Sequence, residues 1–179
     1  GSIQAVGNLM NEARGAHAAI YLPETDQVLL VGGSERLYRD NLAGDAFPWY
    51  FDKAETGAAG HSYELFDVET LRFLSVEDLP SGSNAMVQSV PRVFPRLSRN
   101  NDGTVLVTGG GTWPSVAGAM EMNGAYRLAE FFVPEGLGAV SGFQDTKGAL
   151  TMSRLRPGHS VSLLDVNNGR ATHLFWGGV

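Results

Sequence analysis

Short apolar runs alternate with polar turns along this chain, and three of the runs stop at a glycine pair. They are residues 28–33 (VLLVGG), 105–110 (VLVTGG) and 173–178 (HLFWGG). Each follows a polar turn, and each turn follows an arginine-led segment: residues 14–22 (RGAHAAIYL), 91–99 (PRVFPRLSR) and 156–164 (RPGHSVSLL). Apolar runs bounded by Gly, Asn, Asp and Pro read as strands. The turns carry Pro23 to Asp26, then Asn100, Asn101, Asp102 and Gly103, then Asn167, Asn168 and Gly169. Asn-Gly and Asp-Gly supply the positive φ angles of tight turns, so each arginine-led segment and its glycine-ended run are predicted to form a hairpin. The pairs Gly32-Gly33, Gly109-Gly110 and Gly177-Gly178 then permit a sharp exit or a close backbone approach that a side chain would obstruct.

A second element recurs downstream. YELFDVETL (63–71) aligns with AEFFVPEGL (129–137), placing Glu64 over Glu130 and Phe66 over Phe132. LRFLSV (71–76) reads as a fourth strand; the corresponding GAVSGF (138–143) is glycine-rich and has a weaker strand pattern. The opening IQAVGNLMNEARGAH resembles the approach to the third copy, GALTMSRLRPGH, so residues 3–6 are expected to be a strand of a preceding unit. The glycine pairs recur about 70 residues apart, and a fixed order of elements at such a period marks an array of like units.

The order of elements resembles the kelch repeat, whose four-stranded antiparallel blades fan into a β-propeller. The glycine pairs carry the resemblance, with the lead-ins Gly15-Ala16-His17 and Gly158-His159 and the strands YELFDVET and AEFFVPEG. It covers nearly the whole chain and implies an all-β fold of roughly two and a half blades. Residues 1–13 would supply the outer strand of a preceding blade, 14–79 the first blade, 80–145 the second and 146–179 half of a third. The late tryptophan of kelch repeats is replaced by Phe73 in one blade and Ala139 in the next. The phrase DGTVLVTGG is more similar to bacterial or secreted kelch proteins than to animal ubiquitin-ligase adaptors, which implies an extracytoplasmic setting.

A ring takes about four to eight blades, so a partial propeller is expected to be completed by blades from another polypeptide or from the same gene product. A self-contained small β-domain is the alternative. Blades of this kind take roughly 50 residues, and the surplus lies in two loops at equivalent places, each after a glycine pair. The first carries Phe47, Pro48, Trp49, Tyr50 and Phe51 among Asp40, Asp45 and Asp52; the second carries Trp113 and Pro114. Rigid aromatic rings on loops are frequent contact residues. Phe47, Trp49, Tyr50, Phe51 and Trp113 are therefore candidates to bind a protein, peptide or glycan, unless the cluster packs as a lid over its own blade.

Charge and chemistry narrow the choices further. Of 179 residues, 43% are hydrophobic and 18% charged, which is a globular balance. A net charge of -6, with 13 scattered Lys and Arg, argues against a nucleic-acid partner. No run approaches the roughly 18 apolar residues of a membrane helix. With no cysteine, disulfides and thiolate metal sites are excluded. His17 and His159 share a repeat position and are expected to cap or bridge blades; the four histidines lack ligand spacing, so no metal or other cofactor is implied. Gly109 to Thr112 lacks the lysine of a phosphate loop.

Arg14, Arg92 and Arg156 recur with the repeat and are expected to form inter-blade salt bridges or donate hydrogen bonds. The leading expectation is a non-catalytic interaction module. The alternatives are part of a galactose-oxidase-like propeller enzyme with its site split across other blades, and a regulatory propeller nicked after Gly178.

Overall fold

The computed structural model describes residues 5–34, 37–39, 49–51, 62–75, 78–79, 92–110, 129–138, 141–144, 159–167 and 170–177. These residues are all-β, with strands β1 (Ala18–Leu22), β2 (Gln27–Val31), β3 (Leu37–Arg39), β4 (Trp49–Phe51), β5 (Tyr63–Asp67) and β6 (Arg72–Phe73) in the first half. The second half contains β7 (Arg96–Arg99), β8 (Val105–Thr108), β9 (Glu130–Val133), β10 (Gly142–Gln144), β11 (Ser160–Asn167) and β12 (Arg170–Trp176). Two four-stranded antiparallel sheets result, in the order β1-β2-β5-β6 and β7-β8-β9-β10, and β11-β12 forms a third hairpin. The glycine-rich stretch before Phe143 does form a fourth strand, β10, whereas β6 is only two residues long.

The turns explain why these hairpins form where they do. Gly103 takes φ 86° between β7 and β8, and Asp26 takes φ 52° between β1 and β2. Asp26 is a residue type that tolerates the left-handed region. Between β5 and β6, Asp67 accepts bonds from the Thr70 amide at 2.7 Å and the Thr70 hydroxyl at 2.5 Å. These contacts hold the Asp67 carboxyl below its ordinary range.

Side chains alternate between the faces of each sheet, and the first two sheets stack face to face. Leu29, Val31, Tyr63 and Leu65 of the first sheet meet Val105, Val107, Phe132 and Phe143 of the second in one buried cluster. Tyr63 lies edge-on to Phe132 with ring centroids 5.1 Å apart, and 5.4 Å from Phe143. Burying each such side chain contributes about 1.5–3 kcal/mol, so this seam holds the two sheets together. Beyond it, β7 lies against β1 on one side and β11 on the other. The three arginine-led strands therefore follow one another in space as they do in sequence.

Ala5 and Val6 are not in a strand, and Ile3 lies outside the described residues. Residues 7–11 instead run along the free edge of β6. The Asn8 side chain donates to the Phe73 carbonyl at 2.8 Å and accepts from the Phe73 amide at 2.7 Å. Asn11 Nδ2 donates to the Leu74 carbonyl at 2.9 Å. Side-chain amides here take the place of a neighbouring strand and satisfy an edge that would otherwise invite pairing.

Candidate functional site

Arg14 and Arg92 lie at the heart of the two four-stranded sheets. Arg14 donates from Nε to Glu64 at 2.9 Å, from Nη2 to the same carboxylate at 2.7 Å, and from Nη1 to the Gly32 carbonyl at 2.7 Å. Arg92 repeats the pattern: Nε to Glu130 at 3.1 Å, Nη2 to Glu130 at 2.9 Å and Nη1 to the Gly109 carbonyl at 2.6 Å. All four charged side chains are buried. Glu64 also accepts from the amides of Asn11 at 2.7 Å and Glu12 at 3.2 Å. A buried pair persists only when its remaining valences are satisfied in this way, and removing one member costs about 3–5 kcal/mol.

Arg14 and Arg92 donate hydrogen bonds, one of the two roles expected of them, and the ion pair each forms lies within its own sheet. Each guanidinium reaches into its own sheet, to the first residues of the third strand and the last of the second. Glu64 and Glu130 were visible as aligned positions. A recurrent buried arginine requires a recurrent acid, and that reasoning would have assigned them as its partners. Between the first two sheets, Arg99 pairs with Glu24 and main-chain bonds add to the buried side-chain seam. The Gly33 amide donates to the Arg92 carbonyl and the Phe94 amide donates to the Ala16 carbonyl, both at 2.8 Å. Ala16 and Phe94 occupy the same repeat position and share φ values of 55° and 56°.

The glycine pairs are now explained by close approach on two sides. Gly32 has φ 68°, and a methyl group there would collide with the Arg92 carbonyl oxygen of the next sheet. Gly33 faces its own sheet: a methyl would fall 2.8 Å from the Gly15 carbonyl and 3.1 Å from Arg14 Cβ. Gly110 repeats this, at 2.9 Å from the Val93 carbonyl and 3.1 Å from Arg92 Cβ. Gly177 keeps the same backbone form, with φ 74°, but nothing lies within 4 Å of the position a methyl would take.

His159 bridges the second sheet and the third hairpin. Its Nε2 is hydrogen-bonded to Thr108 Oγ1 at 2.9 Å, and its carbonyl accepts from Arg96 Nε at 2.6 Å. Thr108 went unrecognised in the sequence, because a hydroxyl ending a strand gives no signal of what it meets. At the same repeat position His17 has a buried Nδ1 with no hydrogen-bond partner among the described residues. Burial pushes the His173 imidazole below its ordinary pKa, and raises the Tyr63 phenol from 10.0 to about 12.

Of the candidate binding residues, Trp49, Tyr50 and Phe51 form β4, which pairs with Leu37, Tyr38 and Arg39 of β3 in reverse order. The first enlarged loop therefore contains a two-stranded sheet of its own, separate from both four-stranded sheets. Phe47, Trp113, Arg156 and Gly178 lie outside the described residues. Among the described residues, no group of three or more His, Asp or Glu could hold a metal ion, and no helix is long and apolar enough to cross a membrane. Comparison with protein-family models and with curated proteins gives no match to this chain.

Proposed function

We propose that this chain is a run of kelch-type β-propeller blades that serves as a non-catalytic interaction module. It would bind a protein, peptide or glycan through its aromatic insertion, with the remaining blades of the ring supplied by further polypeptide. Two features support the propeller reading. The first two sheets are joined by a Gly33–Arg92 backbone hydrogen bond, and each of them carries the same internal Arg–Glu pair. The four buried charges are engaged in holding strand ends together, so they act as fold elements.

The observation that carries the binding reading is the β3–β4 hairpin. It lies in the connection from β2 to β5 and holds Trp49, Tyr50 and Phe51 on one strand. Aromatic residues held on a regular strand lose little further freedom on binding, which is why they serve as anchors. A fluorescently labelled chain applied to a glycan microarray and to a displayed peptide library tests this. Capture on one of the two, lost about tenfold or more in the Trp49→Ala/Tyr50→Ala/Phe51→Ala variant at unchanged melting temperature, supports the reading. Stoichiometric copper with alcohol-oxidase activity in the complete assembly would replace it with the enzymatic one.

A further inference from the structure

The seam between the first two sheets and the seam between the second sheet and the third hairpin repeat each other in register but not in chemistry. In the first seam Leu22, at the end of β1, and Val105, at the start of β8, belong to the buried cluster and are both 0% exposed. Asn100 holds the Leu22 position in the second seam: its amide donates to the Thr104 carbonyl at 2.8 Å, as Leu22 opposes Gln27. His173 holds the Val105 position, four residues before the glycine pair. An aliphatic pair thus gives way to an amide and an imidazole.

Each of the two keeps a buried polar atom in reserve. Asn100 is 5% exposed, and its Oδ1 has no hydrogen-bond partner among the described residues. Its orientation is fixed: Thr104 Oγ1 donates to Asp102 at 2.7 Å and so accepts from Asn100 Nδ2 at 2.8 Å, which leaves Oδ1 outside that chain of bonds. His173 Nε2 is likewise buried with no partner among the described residues. A β-bulge follows Leu163, which pairs with His173, whereas the β1-β2 and β7-β8 hairpins are regular. Bulges re-aim the side chains beside them.

A neutral imidazole with its proton on Nε2 supplies the donor that Asn100 Oδ1 lacks, directly or through one bridging water. A second proton would place a cation in the seam. The charged and titratable groups described there are Arg96 of β7, which donates to the His159 carbonyl at 2.6 Å, and His159 itself, bonded to Thr108. From β8 come Leu106 and Thr108, which carry no charge. Asp102 lies in the β7-β8 turn, engaged by the Thr104 amide and hydroxyl. Among the described residues, no carboxylate on this face balances a second proton.

We propose that Asn100 and His173 form an acid-sensitive latch: the third hairpin docks on the second sheet while the His173 ring is neutral, and loosens when that ring takes a second proton. Burial holds this imidazole below its ordinary value of 6.5, in accord with the geometry. The docked state therefore binds the proton less readily than the released one. Docking is fully supported above about pH 6.5 and weakens as pH falls below it. Leu22 and Val105 give the first seam no such response.

Hydrogen exchange of the whole chain, corrected for intrinsic rate and followed from about pH 7.5 to about pH 5, tests this. Protection of β11 and β12 is expected to fall about tenfold or more, while β2, β5 and β9 keep theirs. His173→Val places in the second seam the side chain that Val105 supplies in the first, and is expected to abolish the fall. His173→Gln, which keeps a neutral donor, is expected to do the same. In the native protein the His173 ring should titrate below 6.5 by nuclear magnetic resonance, a readout that needs no variant to fold. Equal protection at both ends of the range overturns the proposal. So does a fall that persists in both variants, which assigns the response to another group, and so does a His173 midpoint at or above 6.5 in the folded chain.

Discussion

The Arg92 carbonyl oxygen accepts a 2.8 Å hydrogen bond from the Gly33 amide, while the Arg92 guanidinium turns back into its own sheet to meet Glu130. One residue thus fixes the stacking of two sheets through its main chain and the closure of one sheet through its side chain. The two tasks are separable by mutation, because a side-chain change leaves the carbonyl in place.

Glu130→Ala strands a buried guanidinium and is expected to cost about 3–5 kcal/mol in chemical denaturation. The double change Arg92→Met/Glu130→Leu is expected to lose less than the sum of the two single changes, because neither charge is then left unpaired. Additive losses would show that the pair is not coupled.

Gly32→Ala is expected to destabilise by about 2–3 kcal/mol more than Gly136→Ala. Both glycines have positive φ, 68° and 81°, so both substitutions strain the backbone. Only Gly32 faces a neighbouring sheet; nothing lies within 4 Å at Gly136. Equal melting temperatures for the two variants would mean that the Arg92 contact yields without cost.

Thr108→Val removes the hydroxyl that meets His159 and leaves a buried imidazole nitrogen without it, at about 1–3 kcal/mol. Thr108→Ser keeps the bond and should recover most of the loss. Hydrogen exchange is the discriminating measurement: protection should fall across β11 and β12 while the seam around Tyr63 is unaffected.

Burial raises the Tyr63 phenol from 10.0 to about 12, so the folded chain holds this proton more tightly than the unfolded one. Its contribution is full below pH 10 and is lost as pH rises toward 12, amounting to about 2–3 kcal/mol at most. Urea midpoints measured from pH 8 to 11.5 should fall more steeply above about pH 10 in the native protein than in Tyr63→Phe. Identical slopes would remove Tyr63 as the cause.

Strand periodicity and glycine punctuation were enough to locate the hairpins and the third strand of each sheet, because those signals depend on nearest neighbours and on φ. The alignment of Glu64 with Glu130 and of Phe66 with Phe132 was likewise legible, as repetition preserves register. The acids that could meet Arg14 and Arg92 were visible in that alignment, but the burial that makes Arg92 need Glu130, 38 residues away, was not, since it depends on which strand ends converge. Nor could the pattern of residues 35–61 tell that Trp49, Tyr50 and Phe51 would pair with Leu37, Tyr38 and Arg39, because the run is too short and too aromatic to show alternation. The chain by itself determined that its backbone would alternate strand and turn in repeating units. Only tertiary structure decided that the Arg92 side chain would serve its own sheet and its carbonyl the neighbouring one, because burial in a low-dielectric seam makes the nearest acid, and not the next sheet, the partner that the charge requires.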